Sequence, residues 1–343
     1  MERKAASAPV STVDNWIHKI AESVSSKFGA DAMAPLSEHS SYGAVKTYIS
    51  TGHWATDYIV SGKTSGGGVP VSRLTEIFGG WSSGKSLIIA HLIASVQKMG
   101  GIAALDDTEH AYMKDFGSKI GVDNNKLLYS ASESVEEVFD KMAYVIEMVM
   151  KDHPNTPVLY AWDSLALVAS MKELNDELLG EGESYHTEKA KAINRGTRKV
   201  VSLLGKSNVA LVISNQTRKK FGIQFGNPET TPGGDAVPFW ASVRLRLAAK
   251  AKLQGEDKEI NGVTADVSTV KNKINEPFKS CSFSMSFAEG ISYMSGAVDS
   301  LVKMGVIKQS SPGWYSVGDK KYQKVALEAY FTDNPQVLDG LLG

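Results

Sequence analysis

Residues 79–86 read Gly79-Gly80-Trp81-Ser82-Ser83-Gly84-Lys85-Ser86, a complete G-x-x-x-x-G-K-[ST] phosphate loop. The apolar run Leu74–Phe78 leads into it, and a helical pattern beginning Leu87-Ile88-Ile89 leaves it. A strand feeding a glycine loop that opens a helix is the setting in which this motif acts. Gly79 and Gly84 let the backbone wrap a phosphate chain with its N–H groups, and the helix start adds unpaired donors and the positive end of a dipole. In that role Lys85 reaches the β- and γ-phosphates and the Ser86 hydroxyl sits on Mg²⁺. Gly79, Gly80, Trp81, Ser82, Ser83, Gly84, Lys85, Ser86 and Leu87 are therefore candidate contacts of a nucleoside triphosphate.

The sequence on either side sets the fold class. Ile102–Asp106, Val158–Trp162 and Val209–Ile213 read as buried strands, each separated from the next by a helical pattern. The strongest stripe is Val135, Val138, Phe139, Met142, Val145, Ile146 and Val149, and another helix is expected over about 188–204. Strands alternating with helices predict an α/β fold with a mainly parallel, covered sheet. Beyond residue 240 the pattern changes to successive strands at 243–247, 264–273 and 281–287, and then to a small α/β lobe with a helix near 296–304. At the other end, Trp16, Ile17, Ile20, Val24 and Phe28 share one helical face, ahead of a looser stretch over 29–41.

Composition narrows the class. The chain has 343 residues, 42% hydrophobic and 22% charged, which is that of a globular protein. No apolar run approaches the roughly 20 residues of a membrane span, and the N-terminus carries no apolar core of a signal peptide, so neither a membrane nor secretion is expected. The single cysteine, Cys281, excludes an internal disulfide and fits a reducing compartment. With a net charge of −1, any nucleic-acid surface must be local.

Further candidates follow the phosphate loop. Leu159–Asp163 places an acid after four apolar residues, a Walker B pattern whose Asp163 would hold Mg²⁺ at the C-terminal end of a buried strand. Glu109 lies just past the strand ending at Asp106, at the edge where open α/β sheets bind ligands. It is a candidate for activating water, with Asp106 and Asp107 as rivals on spacing alone. Asn215-Gln216 ends the strand after Val209–Ile213 and introduces a long loop to Gly234, in which Arg218, Lys219 and Lys220 come first and Phe221 and Phe225 are interleaved with glycines. Basic, aromatic and glycine residues together suit single-stranded nucleic acid, although exposed phenylalanines also serve as protein anchors. Lys191, Arg195 and Arg198 share a helical face at i, i+4 and i+7.

The segment Gly226–Gly234, followed by Phe239–Arg244, closely resembles the second DNA-binding loop and following strand of RecA-type recombinases. Ile49–Gly52, Asp107–Ala111, Gly121–Asp123, Val270–Ile274, Pro277–Lys279, Gly290-Ile291 and Gly313–Ser316 resemble other parts of that family, nearly collinearly from about residue 14 onward. The resemblance implies a P-loop NTPase with a RecA-like core, an ATP- and Mg²⁺-dependent recombinase that forms helical filaments on single-stranded DNA, pairs it with homologous double-stranded DNA and exchanges strands. By match, Lys85 and Ser86 bind phosphate and metal, Glu109 is the catalytic base, Asp163 the Walker B acid and Gln216 the γ-phosphate sensor. Phe116 and Phe287 fall near the adenine, while Lys271 and Lys273 reach the nucleotide of a neighbouring subunit. Thr217, Arg218, Lys219, Lys220, Phe221, Phe225, Gly226, Asn227, Thr230, Thr231, Gly233 and Gly234 fall in the DNA loop, with Lys191, Arg195 and Arg198 supplying further charge. Phe239, Trp16 and Ile20 fall at subunit contacts.

The implied organisation is a polymerisation segment over 1–48, an ATPase core over 49–290 and a small C-terminal lobe over 291–343. The first DNA loop falls at about 172–188 and is acidic. Gly80-Trp81 replaces the family's proline–acid pair, and Met113 stands where an acid contacts the base. The sequence ends without an acidic tail, so tail-based restraint of DNA binding is not expected. The expected setting is the cytoplasm of a bacterial cell or a phage-infected host. Two rivals share parts of this pattern: a ring-forming replicative helicase, and a non-hydrolysing accessory protein. The match over Gly226–Gly234 argues against the first and the intact Lys85, Ser86, Glu109 and Asp163 against the second.

Overall fold

The computed structural model describes residues 12–29, 32–37, 45–175, 185–219, 229–255 and 258–342. The chain divides into two compact units, 1–44 and 45–343. In the first, α1 (Thr12–Phe28) is the helix expected from its stripe. Trp16, Ile17, Ile20 and Phe28 are all exposed on it, and Lys19 and Lys27 lie over the rings of Trp16 and Phe28.

The second unit opens with β1 (Tyr48–Ile49), α2 (Trp54–Ser61) and β2 (Val69–Pro70), the two strands pairing antiparallel. There follow β3 (Leu74–Gly79), α3 (Lys85–Lys98), β4 (Ile102–Asp107), α4 (Lys114–Ile120), β5 (Leu127–Ser130), α5 (Val135–Asp152) and β6 (Val158–Asp163). Next come α6 (Met171–Asn175), α7 (Tyr185–Leu204), β7 (Val209–Gln216), the short β8 (Arg218–Lys219) and β9 (Glu229–Thr230), and α8 (Ala236–Trp240). Three further strands, β10 (Val243–Gln254), β11 (Ile260–Asn272) and β12 (Ser280–Ser286), run antiparallel to one another, ending in β13 (Gly290–Ile291). The remainder is α9 (Ala297–Lys303), β14 (Lys308–Ser311), β15 (Trp314–Val317), β16 (Lys320–Gln323), α10 (Lys324–Asp333) and α11 (Pro335–Leu342).

One nine-stranded sheet, ordered β13-β12-β11-β10-β3-β7-β6-β4-β5, carries the unit. Its six strands from β10 to β5 are parallel, as the alternation of strands and helices requires. All six residues of β3 are buried, because helices cover both faces. Strand alternation sorts them: Ile77, Ala210 and Val212 join the core beneath α3, while Leu74, Leu211 and Ile213 join the core beneath α5 and α7. The α5 stripe packs there through Val135, Val138, Phe139, Met142, Ile146 and Val149. The C-terminal helices and the β14–β15–β16 sheet share the first core through Leu301, Ile307, Tyr315, Leu327 and Phe331.

Several boundaries depart from the sequence reading. β7 runs on to Gln216, and β10 and β11 are 12 and 13 residues long, because mutual pairing carries them past the ends of their apolar runs. The expected loop over 172–188 is helical at both flanks, with Met171–Asn175 in α6 and Tyr185–Glu188 in α7; residues 176–184 lie outside the described residues.

His53, 1% exposed, caps α2 by accepting from Thr56 N at 3.2 Å, while its Nε2 pairs with Ser295 O at 2.6 Å. This arrangement needs a neutral ring with the proton on Nε2. Burial holds the His53 pKa down to about 4 from its ordinary 6.5. Because the folded value is depressed, its contribution to stability is full above 6.5 and is lost as pH falls from there toward 4. The loss is on the order of 3 kcal/mol. His53→Asn, which retains a capping side chain but does not titrate, should flatten the decline of unfolding free energy between pH 6.5 and 4, as measured by denaturant titration at each pH. An unchanged slope would remove His53 as its source.

Candidate nucleotide site and nucleic-acid surface

The turn between β3 and α3 is built for close backbone approach. Gly84 has φ +94°, and a Cβ on Gly79 would lie 2.2 Å from Leu247 O, so side chains are excluded at both positions. Ser83 is buried and closes the loop by donating to Gly80 O at 2.8 Å. Ile88 N makes the first helical bond to Gly84 O, which leaves the amides of Lys85, Ser86 and Leu87 without intrahelical acceptors at the positive end of the helix. Lys85 is buried, and its Nζ donates to Gly79 O (3.2 Å) and Gly80 O (2.9 Å). Trp81 projects outward, 84% exposed.

Parallel register brings the acids to the same edge. Asp107 of β4 lies level with Asp163 of β6, and Gly79 of β3 with Gln216 of β7. Asp163 accepts hydrogen bonds from the Ser214 and Ser86 hydroxyls, and Thr108 N donates to its carbonyl at 2.9 Å. Burial raises the Asp163 pKa, and burial also lowers that of Lys85, where the charges of Asp163 and Glu109 pull the other way. Glu109 accepts from the Ser164 hydroxyl and, at 3.3 Å, from Gln216 Nε2.

Its rivals are engaged elsewhere. Asp106 takes Ser132 N (2.9 Å), Ser132 Oγ (2.7 Å) and Tyr160 Oη (3.2 Å), and Asp107 takes Tyr112 N (2.9 Å) and Tyr129 Oη (3.1 Å). Ser86 and Asp163 together offer the hard oxygen donors that suit Mg²⁺, and a lysine and helix amides beside them suit a phosphate chain. Residue spacing alone did not single out Ser164 and Ser214; the only signal was a hydroxyl next to each strand-end polar residue.

Around the expected base position, Phe116 is half-buried on α4 and Phe287, past the end of β12, is 56% exposed. Ile291 N donates to His91 Nε2 of α3, and a Cβ on Gly290 would lie 3.3 Å from Ile120 of α4. The β12–β13 turn therefore packs beside the helix that carries Phe116. Met113 is exposed at the start of that helix.

The long loop after β7 is tied to the phosphate loop at its first residue, where Thr217 N donates to Gly79 O at 3.2 Å. Arg218 is exposed, and β8 pairs with β9 to close the base of the loop. Glu229 on the returning arm binds Arg246 through two bonds of 2.6 and 2.7 Å. Thr230 is half-buried, Thr231 buried, and Gly233 lies so near Ile193 of α7 that a Cβ would come within 2.8 Å. Lys220, Phe221, Phe225, Gly226 and Asn227 lie outside the described residues. On α7, Lys191 pairs with Glu188, Arg195 is exposed, and Lys191 and Arg198 line a cleft of about 520 Å³ with Gly233, Gly234 and Phe239. Phe239 is itself exposed, edge-on to Trp240.

Lys271 and Lys273 stand apart from this chain's own loop. Lys271 lies opposite Arg244, which lies opposite Glu76, and its Nζ donates to Pro238 O (2.8 Å) and Phe239 O (2.6 Å). Lys273 follows the end of β11, and its N donates to Ser242 O, level with Leu74 at the start of β3. The phosphate loop leaves the other end of β3, about 17 Å away at the rise of a strand.

This fold and site define a P-loop ATPase whose nucleotide edge continues into a basic loop. The model of the RecA N-terminal domain matches residues 15–292. The chain is 37% identical to Protein RecA of Chlorobium limicola over 300 residues, covering 88% of this chain and 81% of that one. It is 34% identical to Protein RecA of Aquifex pyrophilus over 323 residues, 92% of this chain and 87% of that one. The chain belongs to the RecA family, the ATP-dependent DNA recombinases of homologous recombination and repair, which are DNA-dependent ATPases.

The different surroundings of the three acids separate their roles experimentally. Glu109→Gln should retain nucleotide binding and slow DNA-stimulated hydrolysis by about a hundredfold or more. Asp106→Asn should instead lower unfolding free energy by roughly 1–3 kcal/mol, through its buried hydrogen bonds. Wild-type turnover in Glu109→Gln would transfer the base assignment elsewhere.

Proposed function

We propose that this recombinase hydrolyses ATP at a site completed only where two copies meet in a filament on single-stranded DNA. The observation that carries this reading is the location of Lys271, level with Glu76 of β3, and of Lys273, level with Leu74 at the start of β3, whereas the phosphate loop of the same chain leaves β3 at Gly79. Two cations that serve a nucleotide from there serve a neighbour's. Phe239, exposed beside them, and the exposed Trp16 and Ile20 of residues 1–48 are the contacts that join successive copies.

Within one copy, Lys85 and the loop amides bind the β- and γ-phosphates, and Phe116 and Phe287 flank the adenine. Ser86 and Asp163 hold Mg²⁺, which when bound neutralises charge on the phosphate oxygens. Glu109, kept in place by Ser164, orients the attacking water and takes its proton, and Gln216 senses the γ-phosphate from the same carboxylate. Lys271 and Lys273 of the adjoining copy stabilise charge that builds up in the transition state. Thr217–Gly234, with Lys191, Arg195 and Arg198, holds the DNA, whose homologous duplex partner is then exchanged; residues 49–290 form the ATPase core and 291–343 its terminal lobe, working in the cytoplasm. No helix among the described residues is long and apolar enough to cross a membrane.

A mixing experiment tests the shared site. Lys271→Glu/Lys273→Glu and Glu109→Gln should each lose DNA-stimulated hydrolysis alone. An equal mixture should regain about a quarter of wild-type turnover, because about one interface in four joins an intact Glu109 to intact lysines. No recovery on mixing, or a lysine variant with normal turnover, would exclude a site shared between copies. Lys85→Ala should be inactive alone.

A further inference from the structure

Behind the catalytic edge lies a buried polar chain that the phosphate site does not use directly. Glu76, in the middle of β3, is fully buried. Its Oε2 accepts from Arg244 Nε of β10 at 2.5 Å, and its Oε1 accepts from Asn215 Nδ2 of β7 at 3.2 Å. The Arg244 guanidinium also lies 4.5 Å over the Phe78 ring, one residue before Gly79. Asn215 is fully buried too, and its amide is nearly saturated. The Nδ2 group donates a second bond to Pro232 O (3.1 Å), in the returning arm of the DNA loop, and its oxygen accepts from Gln216 N (3.0 Å).

Asn215 thus touches three things at once. One is the backbone of the residue whose side chain bonds Glu109, another is the end of the DNA loop, and the third is a carboxylate anchored to the strand that carries the phosphate loop. A carboxylate with no solvent exposure is costly unless paired, and Arg244 is the partner that holds Glu76 in place, aimed at Asn215. The backbone of Gln216 and the carbonyl of Pro232 are therefore joined through direct bonds to one amide.

We infer that Asn215, held by the Glu76–Arg244 pair, is a positioning residue that links the nucleotide state read by Gln216 to the placement of the DNA loop's returning arm at Pro232. This rests on the reading of Gln216 as γ-phosphate sensor. It adds that the link runs through a buried amide rather than through the exposed loop alone.

The test measures the ratio of single-stranded DNA affinity in a non-hydrolysed ATP analogue to that in ADP, alongside analogue affinity without DNA. Asn215→Ala should lower the ratio by about tenfold while analogue affinity stays within about twofold of wild type. Glu76→Gln, which keeps an oxygen facing Asn215, should lower it less. A purely packing role would lower thermal stability and analogue affinity together and leave the ratio unchanged, and that result overturns the inference. Gln216→Ala separates the two levels. If it retains the wild-type ratio, the sensor reading fails and the inference with it. If it loses the ratio while Asn215→Ala keeps it, only the link through Asn215 fails. In the wild-type chain, amide hydrogen exchange over residues 229–234 should slow in the analogue relative to ADP. Equal exchange in both states overturns the inference whatever the variants do.

Discussion

A carboxylate and an ammonium group share a largely water-free edge in this protein, and much of the rest is arranged to keep them there. Asp163 and Lys85 are both buried, and burial pushes each toward its uncharged form. The charges of Asp163 and Glu109 favour the charged Lys85, and hydrogen bonds from the Ser214 and Ser86 hydroxyls favour the charged Asp163. Such an edge has the donors for a phosphate chain and the oxygens for a divalent cation, which is why a triphosphate fits it. The arrangement depends on strand register. Slipping β6 by one residue against β4 would turn Asp163 to the other face of the sheet and separate it from Ser214 and the loop.

From that edge the structure leads outward in two directions. Through Gln216 and Thr217 it reaches the basic loop, whose first residue is bonded to Gly79 and whose returning arm is pinned by Arg246 and Asn215. Both described ends of that loop are thus bonded to strands beside the phosphate site. Through β10 and β11 the structure reaches Lys271, level with Glu76, and Lys273, level with Leu74 at the start of β3. The two ends of the parallel strands are different surfaces: β3 leaves for the phosphate loop at Gly79, and Lys273 lies level with its start at Leu74.

The first unit has a different character. Its helix exposes Trp16, Ile17, Ile20 and Phe28 along one side, with Lys19 and Lys27 over the rings of Trp16 and Phe28. In general, an assembly that grows in one direction presents on each copy a surface that only the next copy covers. Phe239 of the second unit is also exposed, beside Lys271.

The sequence alone determined the phosphate loop, the strands that end in Asp163 and Gln216, the α5 stripe and the helical face of α1, because each is a local pattern of spacing that the backbone turns directly into a strand, a turn or a helix face. Residue spacing could not separate Glu109 from Asp106 and Asp107, which only the family resemblance did. In the folded chain Asp106 is engaged by Ser132 and Tyr160 and Asp107 by Tyr112 and Tyr129, while Glu109 faces Ser164 and Gln216. Nor did the sequence mark Glu76, Asn215 and Arg244 as one unit, or extend β10 and β11 beyond their apolar runs. Those features arise from the order and register of strands, which only the packed sheet fixes, since residues 139 or 168 positions apart become neighbours solely when their strands pair.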